Sequence, residues 1–271
     1  MHGLVRHLVG TWAEDAVTHA SALAAIEPTS GSQSHPVAGG WLVLSGAGAY
    51  VNRAFAAGCD VALSATDLQL IVSLSRAGGV VPAVEVTPAT QPETVDRLRA
   101  AGFVHDTNRD VTAMATQVDD SNIGPPDDVH VGMVTSQADL LLWQETSAIG
   151  WGHTTVEARR TSDAFAAAAY ANDDEWMMLA FDRAGGRPIG CAIATIRTGV
   201  ATLGGMSTVP EQRRRGVQAA LLRYRLDLAA GEGCDLAATT AAVGGASERN
   251  LQRHGFSPEF TIQTYTLPTP A

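Results

Sequence analysis

Three consecutive arginines, Arg213, Arg214 and Arg215, stand immediately before Gly216 and a stretch whose apolar residues Val217, Leu221, Tyr224 and Leu228 recur at helical spacing. Upstream, the segment from Leu203 to Val209 reads as a short strand closed by Pro210. The pattern is a strand, a cationic turn and a helix. The first amides of a helix have no partner within it, and the aligned peptide dipoles leave partial positive charge at that end. Guanidinium charge beside those amides, with no side chain at Gly216, suits close approach of a phosphate-bearing ligand. A solvated surface turn is the alternative reading of the same charges.

Pro210 to Gln218 resembles the coenzyme A pyrophosphate loop of the GNAT superfamily of N-acetyltransferases, whose signature is Gln/Arg-x-x-Gly-x-Gly/Ala. Arg213 and Gly216 match it, and Gln218 stands where Gly or Ala is expected. Ser247 to Phe256, SERNLQRHGF, resembles the second motif of that superfamily, a helix ending at Gly-Phe after the coenzyme-binding strand. The resemblance implies an α/β fold (α+β by some schemes), in two tandem GNAT-like domains, each a mixed, mostly antiparallel sheet with flanking helices. It implies acetyl-CoA as cosubstrate. The strand end Met206, Ser207, Thr208 and Val209 would face the acetyl and pantetheine portion. Arg213, Arg214, Arg215, Gly216, Val217, Gln218 and Ala219 would hold the pyrophosphate. Asn250 would reach the pantetheine or thiol, or else be a helix-surface residue.

The implied reaction is direct: a neutral amine attacks the thioester carbonyl, a backbone N–H stabilises the oxyanion, and the thiolate leaves after protonation. Many members place a Tyr four residues before the glycine of Gly-Phe, and this chain has Leu251 there. The acid is therefore open between Ser247, water and the more distant Tyr265, with an N-cap as the structural alternative for Ser247. Glu145 and His153 lie near the segments that wall the acceptor site in relatives, and each is a candidate base or a solvated, structural residue. Trp143, Trp151 and Trp176 would line an acceptor pocket or belong to the core.

The elements that must position these groups can be read in order. Leu4 to Ala25 is helical in parts, Glu27 to Gly40 is a Pro/Ser/Gly-rich loop, and Trp41 to Leu44 is a strand. Gly46 to Val51 nearly spells a dinucleotide fingerprint but lacks the third glycine and a following helix. Thr66 to Arg76 and Pro92 to Ala101 are helices around a strand at Val81 to Thr87, and Val111 to Ala115 is a further strand. After a linker at Asp119 to Asp128 come a strand at Val129 to Val134, a helix at Asp139 to Ala148, a flexible aromatic loop at Gly150 to Thr155, and a helix at Arg159 to Ala171. Strands at Trp176 to Asp182 and Pro188 to Arg197 form a hairpin, and Val200 to Val209 leads into the arginine turn. Leu236 to Thr240, Ala246 to His254 and Thr261 to Leu267 then read as strand, helix and strand.

An internal repeat organises this order. Gly102-Phe103 and Gly255-Phe256 lie 255 − 102 = 153 positions apart, and the same offset places Leu68 on Leu221, Val84 on Ala237 and Leu98 on Leu251. The first copy carries no arginine turn at the matching place, which implies that it has lost the phosphate site. We therefore expect a degenerate GNAT-like domain at 1–120 and an acetyl-CoA-binding domain at 129–271.

Composition narrows the function. All 18 basic residues are arginine, so the lysine of a Walker loop or a Schiff base is missing. A formal charge of −10 argues against nucleic-acid binding and favours a cationic acceptor, a small-molecule or peptide amine. Cys59, Cys191 and Cys234 are scattered, without zinc spacing or Cys-x-x-Cys, and read as buried thiols of a reducing compartment. No HExxH or Gly-x-Ser-x-Gly motif is present. No metal, no membrane association and a cytoplasmic location are expected. Three readings follow: an N-acetyltransferase, a non-catalytic acyl-CoA-binding or sensing module (Gln218 and Leu251 motivate it), and a structural pseudo-enzyme. The repeat fits a monomer with an internal pseudo-dimer or a homodimer.

Overall fold

The structure is a computed structural model, and it describes residues 2–118, 128–183 and 185–268. The helix α1 (His2–Ile26) is followed by a 3-10 turn at Pro28–Ser30, strands β1 (Gln33–Val37), β2 (Gly40–Leu44) and β3 (Arg53–Phe55), and helix α2 (Ala65–Ala77). Next come β4 (Ala83–Val86), α3 (Pro92–Ala100), β5 (Val104–His105) and β6 (Val111–Gln117). The second half contributes β7 (Val129–Met133), α4 (Gln137–Trp151), α5 (Val156–Tyr170), β8 (Glu175–Asp182), β9 (Gly190–Arg197) and β10 (Val200–Thr208). It ends with α6 (Val217–Gly231), β11 (Leu236–Ala242), α7 (Ala246–Arg253) and β12 (Ser257–Thr266). The linker expected at Asp119 to Asp128 lies outside the described residues except for Asp128.

Packing divides the chain into two units that do not follow chain order. The first comprises Met1–Met114, Thr240–Gln252 and Ser257–Ala271, and the second Ala115–Thr239 and Arg253–Phe256. Thus α7 and β12, which the repeat assigns to the second copy, are packed with the first.

In the first unit the strand order is β1-β2-β3-β4-β12, with β5 beside β12. The pair β3–β4 is parallel, and β1–β2, β2–β3 and β4–β12 are antiparallel. Strand alternation explains the two cores. Ala54 and Val84 face one way and pack with Leu68, Ile71, Leu98 and Phe103, while Val43 and Phe55 face the other way onto Ala13 and Ala20 of α1. The sequence reading placed a loop where β1 runs. Pro36 sits in β1 at the end of the strand order, where its missing N–H leaves no ladder bond unmade.

In the second unit the order is β11-β10-β9-β8-β7. Only β10–β11 is parallel, and β7–β8, β8–β9 and β9–β10 are antiparallel. Leu140 and Trp143 of α4 and Ala166 and Ala169 of α5 pack on Met177, Leu179, Cys191 and Ile193. The helix α4 runs on through Gly150 to Trp151, where the sequence suggested a loop, and ends at Gly152 in the left-handed conformation with the His153 amide bonded to the Ala148 carbonyl at 2.8 Å. Both repeats share one local plan: α2, β4 and α3 correspond to α6, β11 and α7 at the offset seen in the sequence, and the paired residues Leu68 and Leu221, Val84 and Ala237, Leu98 and Leu251, Phe103 and Phe256 are all buried.

Candidate active site

The turn between β10 and α6 is built to expose amides. After β10, a 3-10 turn at Pro210–Gln212 leads to Arg214 at φ +65° and Gly216 at φ +78°. These two left-handed residues reverse the chain so that Gly216 becomes the N-cap of α6. No side chain caps that helix. The amides of its first turn are left to another partner, and Arg213, Arg214 and Arg215 are all exposed around them. Two of the guanidinium groups are anchored: Arg213 Nη2 donates to the Gly150 carbonyl at 3.2 Å, and Arg215 is held by Gln212.

Two close contacts seat this turn on the sheet. Gly190 of β9 lies under α6, where a Cβ would fall 2.6 Å from Val217 Cγ1 and 3.0 Å from the Ser207 carbonyl oxygen. Gly150 of α4 lies against β10, where a Cβ would fall 2.4 Å from Ser207 Oγ. Glycines at both places let the helices approach β10 more closely than any other residue would allow.

The strands beside the turn part company. The parallel register of β10 with β11 covers Val200–Thr202 against Leu236–Ala238, and just beyond it the Thr239 hydroxyl donates to the Leu203 carbonyl at 2.6 Å. Against β9, β10 shifts register between Gly204, opposite Ile193, and Ser207, opposite Cys191, so that one extra residue bulges out. Gly205 in this bulge has φ +56°. Among the expected coenzyme residues, Met206, Ser207 and Thr208 therefore fall in or just after a β-bulge on a strand that has left its parallel neighbour. Val209, Arg213, Arg214, Arg215, Gly216, Val217, Gln218 and Ala219 follow in the uncapped turn. The Ser207 side chain turns inward, with its Oγ 3.3 Å from the Cys191 sulfur. Burial pushes the Cys191 thiol up to about 12, and its hydrogen bond to Ser207 only partly offsets that. Cys191 is an unreactive core thiol.

The first copy differs at the same places. The helix α2 has a capping box: Ser64 Oγ accepts from the Asp67 amide at 3.1 Å, and the Asp67 carboxylate accepts from the Ser64 amide at 2.7 Å. A carboxylate already fills the position that a phosphate would need. Across β3 and β4, Arg53 Nε donates to Glu85 Oε1 at 2.6 Å, with the Glu85 side chain 8% exposed. The start of α2 is thus closed by its own side chains, where the start of α6 has no side-chain cap.

The candidate catalytic side chains are scattered. Glu145 on α4 is bonded to Arg159 Nη2 of α5 at 2.5 Å, and this hydrogen bond is the main reason Arg159 is held above the ordinary arginine range. Arg159 also reaches Asp163 at 3.3 Å. The His153 ring is half-buried, and its Nδ1 has no hydrogen-bond partner among the described residues. Ser247 and Asn250 lie on α7, which is packed in the first unit, and Ser247 is exposed. Trp143 is core, donating from Nε1 to the Ala192 carbonyl at 3.2 Å, whereas Trp151 is 59% exposed. Tyr265 is buried in the first unit, stacked on His105 with ring centroids 5.4 Å apart. No group of three potential metal ligands gathers among the described residues, and no described helix is long and apolar enough to cross a membrane.

Residues 140–256 match the model of the acetyltransferase (GNAT) family. A GCN5-related N-acetyltransferase from Kribbella flavida superposes with a TM-score of 0.65 at 19% identity, covering 95% of this chain and 96% of its own. A GCN5-related N-acetyltransferase from Sphaerobacter thermophilus gives a TM-score of 0.52 at 15% identity, covering 81% of this chain and 73% of its own. A tandem GNAT protein from the clavulanic acid biosynthesis pathway gives a TM-score of 0.52 at 14% identity, covering 73% of this chain and 68% of its own. At these identities the likeness is one of fold. No curated protein matches the sequence.

Proposed function

We propose that this protein, whose residues 140–256 match the model of the acetyltransferase (GNAT) family, transfers an acetyl group from acetyl-CoA to a primary amine of a small molecule or peptide, by direct attack in a ternary complex. The observation that carries the reading is the uncapped start of α6, delivered by left-handed Arg214 and Gly216 beside a bulged and splayed β10. The pyrophosphate binds the amides of Val217, Gln218 and Ala219 with Arg213, Arg214 and Arg215 around it. Pantetheine runs along the edge of β10 that β11 has left, and the thioester carbonyl meets an amide of the bulge near Met206. Amine attack then develops negative charge on that oxygen, where a fixed N–H is worth far more than water. Chemistry of this kind needs no covalent enzyme intermediate, so positioning supplies most of the rate. His153, Glu145 and Ser247 remain the proposed proton carriers, and Asn250 a pantetheine contact. The two repeats are proposed as domains at 1–120 and 129–271.

A second reading, an acyl-CoA-binding module without turnover, is favoured by Leu251 in place of a tyrosine and by the Glu145–Arg159 ion pair, which occupies one candidate base. Release of CoA thiol from acetyl-CoA, followed across a panel of small amines and peptide amino termini, separates the two. Turnover on any amine supports the transferase, and tight binding without turnover supports the sensor. Gly216→Glu places a side chain and a negative charge where the phosphate sits, at φ +78°. Coenzyme binding should be abolished in that variant, and unchanged affinity would refute the loop assignment.

A further inference from the structure

Arg225 stands where the fold calls for an apolar residue. The buried line of α6 runs Val217, Leu221, Arg225 and Ala229, and the Arg225 side chain is among the most deeply buried in the protein, at 2% exposure. Its Nη1 donates to the Ile193 carbonyl at 3.2 Å and to the Gly204 carbonyl at 3.4 Å. Its Nε donates to the Leu221 carbonyl at 3.2 Å, and Nη2 lies 3.1 Å from the Met206 sulfur. Among the described residues no carboxylate pairs with it. Burial lowers its pKa to about 9, so the guanidinium is charged at neutral pH. A buried cation with no carboxylate beside it costs stability that an isosteric apolar residue would not, which raises the question of its role.

The position of the contacts supplies one. Ile193 and Gly204 are the last register partners before β10 bulges, and Met206 lies within the bulge. The Gly204 carbonyl belongs to the same peptide group as the Gly205 N–H. A cation bonded to that oxygen draws electron density from the group and makes its N–H a stronger donor, as in any cooperative hydrogen-bond chain. We propose that Arg225 is the positioning residue of acetyl transfer: it pins the Gly204–Gly205 peptide and polarises it from behind, so that the bulge amide is set and strengthened for the thioester oxygen. The proposal rests on the acetyl-CoA reading above. Arg225 touches neither substrate, and its effect is confined to the acyl end of the coenzyme, well along the strand from the phosphates.

The test compares CoA with acetyl-CoA labelled with carbon-13 at the carbonyl, on wild type and on Arg225→Met, which keeps the volume and removes the charge. In wild type the thioester carbonyl band should move to lower wavenumber on binding. In Arg225→Met the shift should be lost and kcat should fall about 100-fold, the loss typical of removing an oxyanion donor, while the Kd for CoA stays within about twofold. Arg225→Lys should recover part of the shift. Where the methionine variant does not fold, Arg225→Gln, uncharged but still a donor, is read the same way and should show a reduced shift. A full carbonyl shift in a folded, uncharged variant overturns the role of Arg225. Failure of wild type to bind either CoA or acetyl-CoA overturns the coenzyme reading itself.

Discussion

Replacing Gly190 by alanine tests how the start of α6 is held in place. Gly190 is buried at the head of β9, and its φ is not in the left-handed region, so alanine is resisted by space alone. The new Cβ would lie 2.6 Å from Val217 Cγ1, 3.0 Å from the Ser207 carbonyl oxygen and 3.3 Å from Leu221 Cδ1. The first neighbour is a β-branched side chain with little rotamer freedom and the second is backbone, so relief comes from α6 moving outward by about 1 Å. Overpacking of this kind costs about 1–3 kcal/mol. Relief of glycine's conformational entropy returns roughly 0.5–1 kcal/mol. The clash therefore wins, by about 1 kcal/mol at the middle of these ranges. Val217 is the first residue of α6, so the same displacement moves the amides proposed to hold the pyrophosphate, and CoA affinity should fall about tenfold, the equivalent of some 1.4 kcal/mol. Urea unfolding and calorimetric titration with CoA measure the two effects. Gly231→Ala serves as the control: it ends the same helix, a Cβ there meets nothing within 4 Å, and it should stabilise by up to about 1 kcal/mol. A Gly190→Ala protein as stable as wild type, with unchanged CoA affinity, would refute the close-packing argument for this site.

Other perturbations have separable outcomes. Ser64→Ala removes the cap of α2 and should cost about 1 kcal/mol in urea unfolding without changing CoA affinity, because that helix end is closed by its own Asp67. Cys191 has a folded-state pKa raised from 9.0 to about 12. Between those values the unfolded chain gives up its thiol proton first, so this group's contribution holds below pH 9 and is lost as the pH rises toward 12. Arg225 acts in the opposite sense, its pKa being lowered from 12.5 to about 9, so the Cys191 effect must be read as a difference. Cys191→Ala should lose less stability than wild type across that alkaline range in pH-dependent unfolding.

Much of the site was legible in the sequence because it depends on local backbone chemistry. Gly216 and the arginines announced a helix start, and the repeat of Gly-Phe at one offset located the paired helices and strands. What was not legible depends on tertiary contact. The helical pattern of Val217, Leu221, Tyr224 and Leu228 passes over Arg225, a charged residue that is nevertheless buried on α6. Its burial follows from two carbonyls at the bulge, and a bulge leaves no periodic trace beyond the glycines Gly204 and Gly205. Gly150 read as a loop signal, whereas it is a helical glycine required by Ser207 on a strand far along the chain. The strand β1 was hidden in a Pro/Ser/Gly-rich stretch that only pairing with β2 makes extended. The assignment of α7 and β12 to the first unit is also invisible to a repeat, which records ancestry of sequence and not which sheet a strand joins.

That last strand has a consequence for how the protein is made. Gln263, Thr264, Tyr265 and Thr266 of β12 are bonded to Val86, Glu85, Val84 and Ala83 of β4. The amino-terminal sheet thus waits for a strand translated nearly two hundred codons later, and until it arrives β4 presents a bare edge to the nascent chain's surroundings. Maturation of the early half is consequently tied to synthesis of the late half through this one strand.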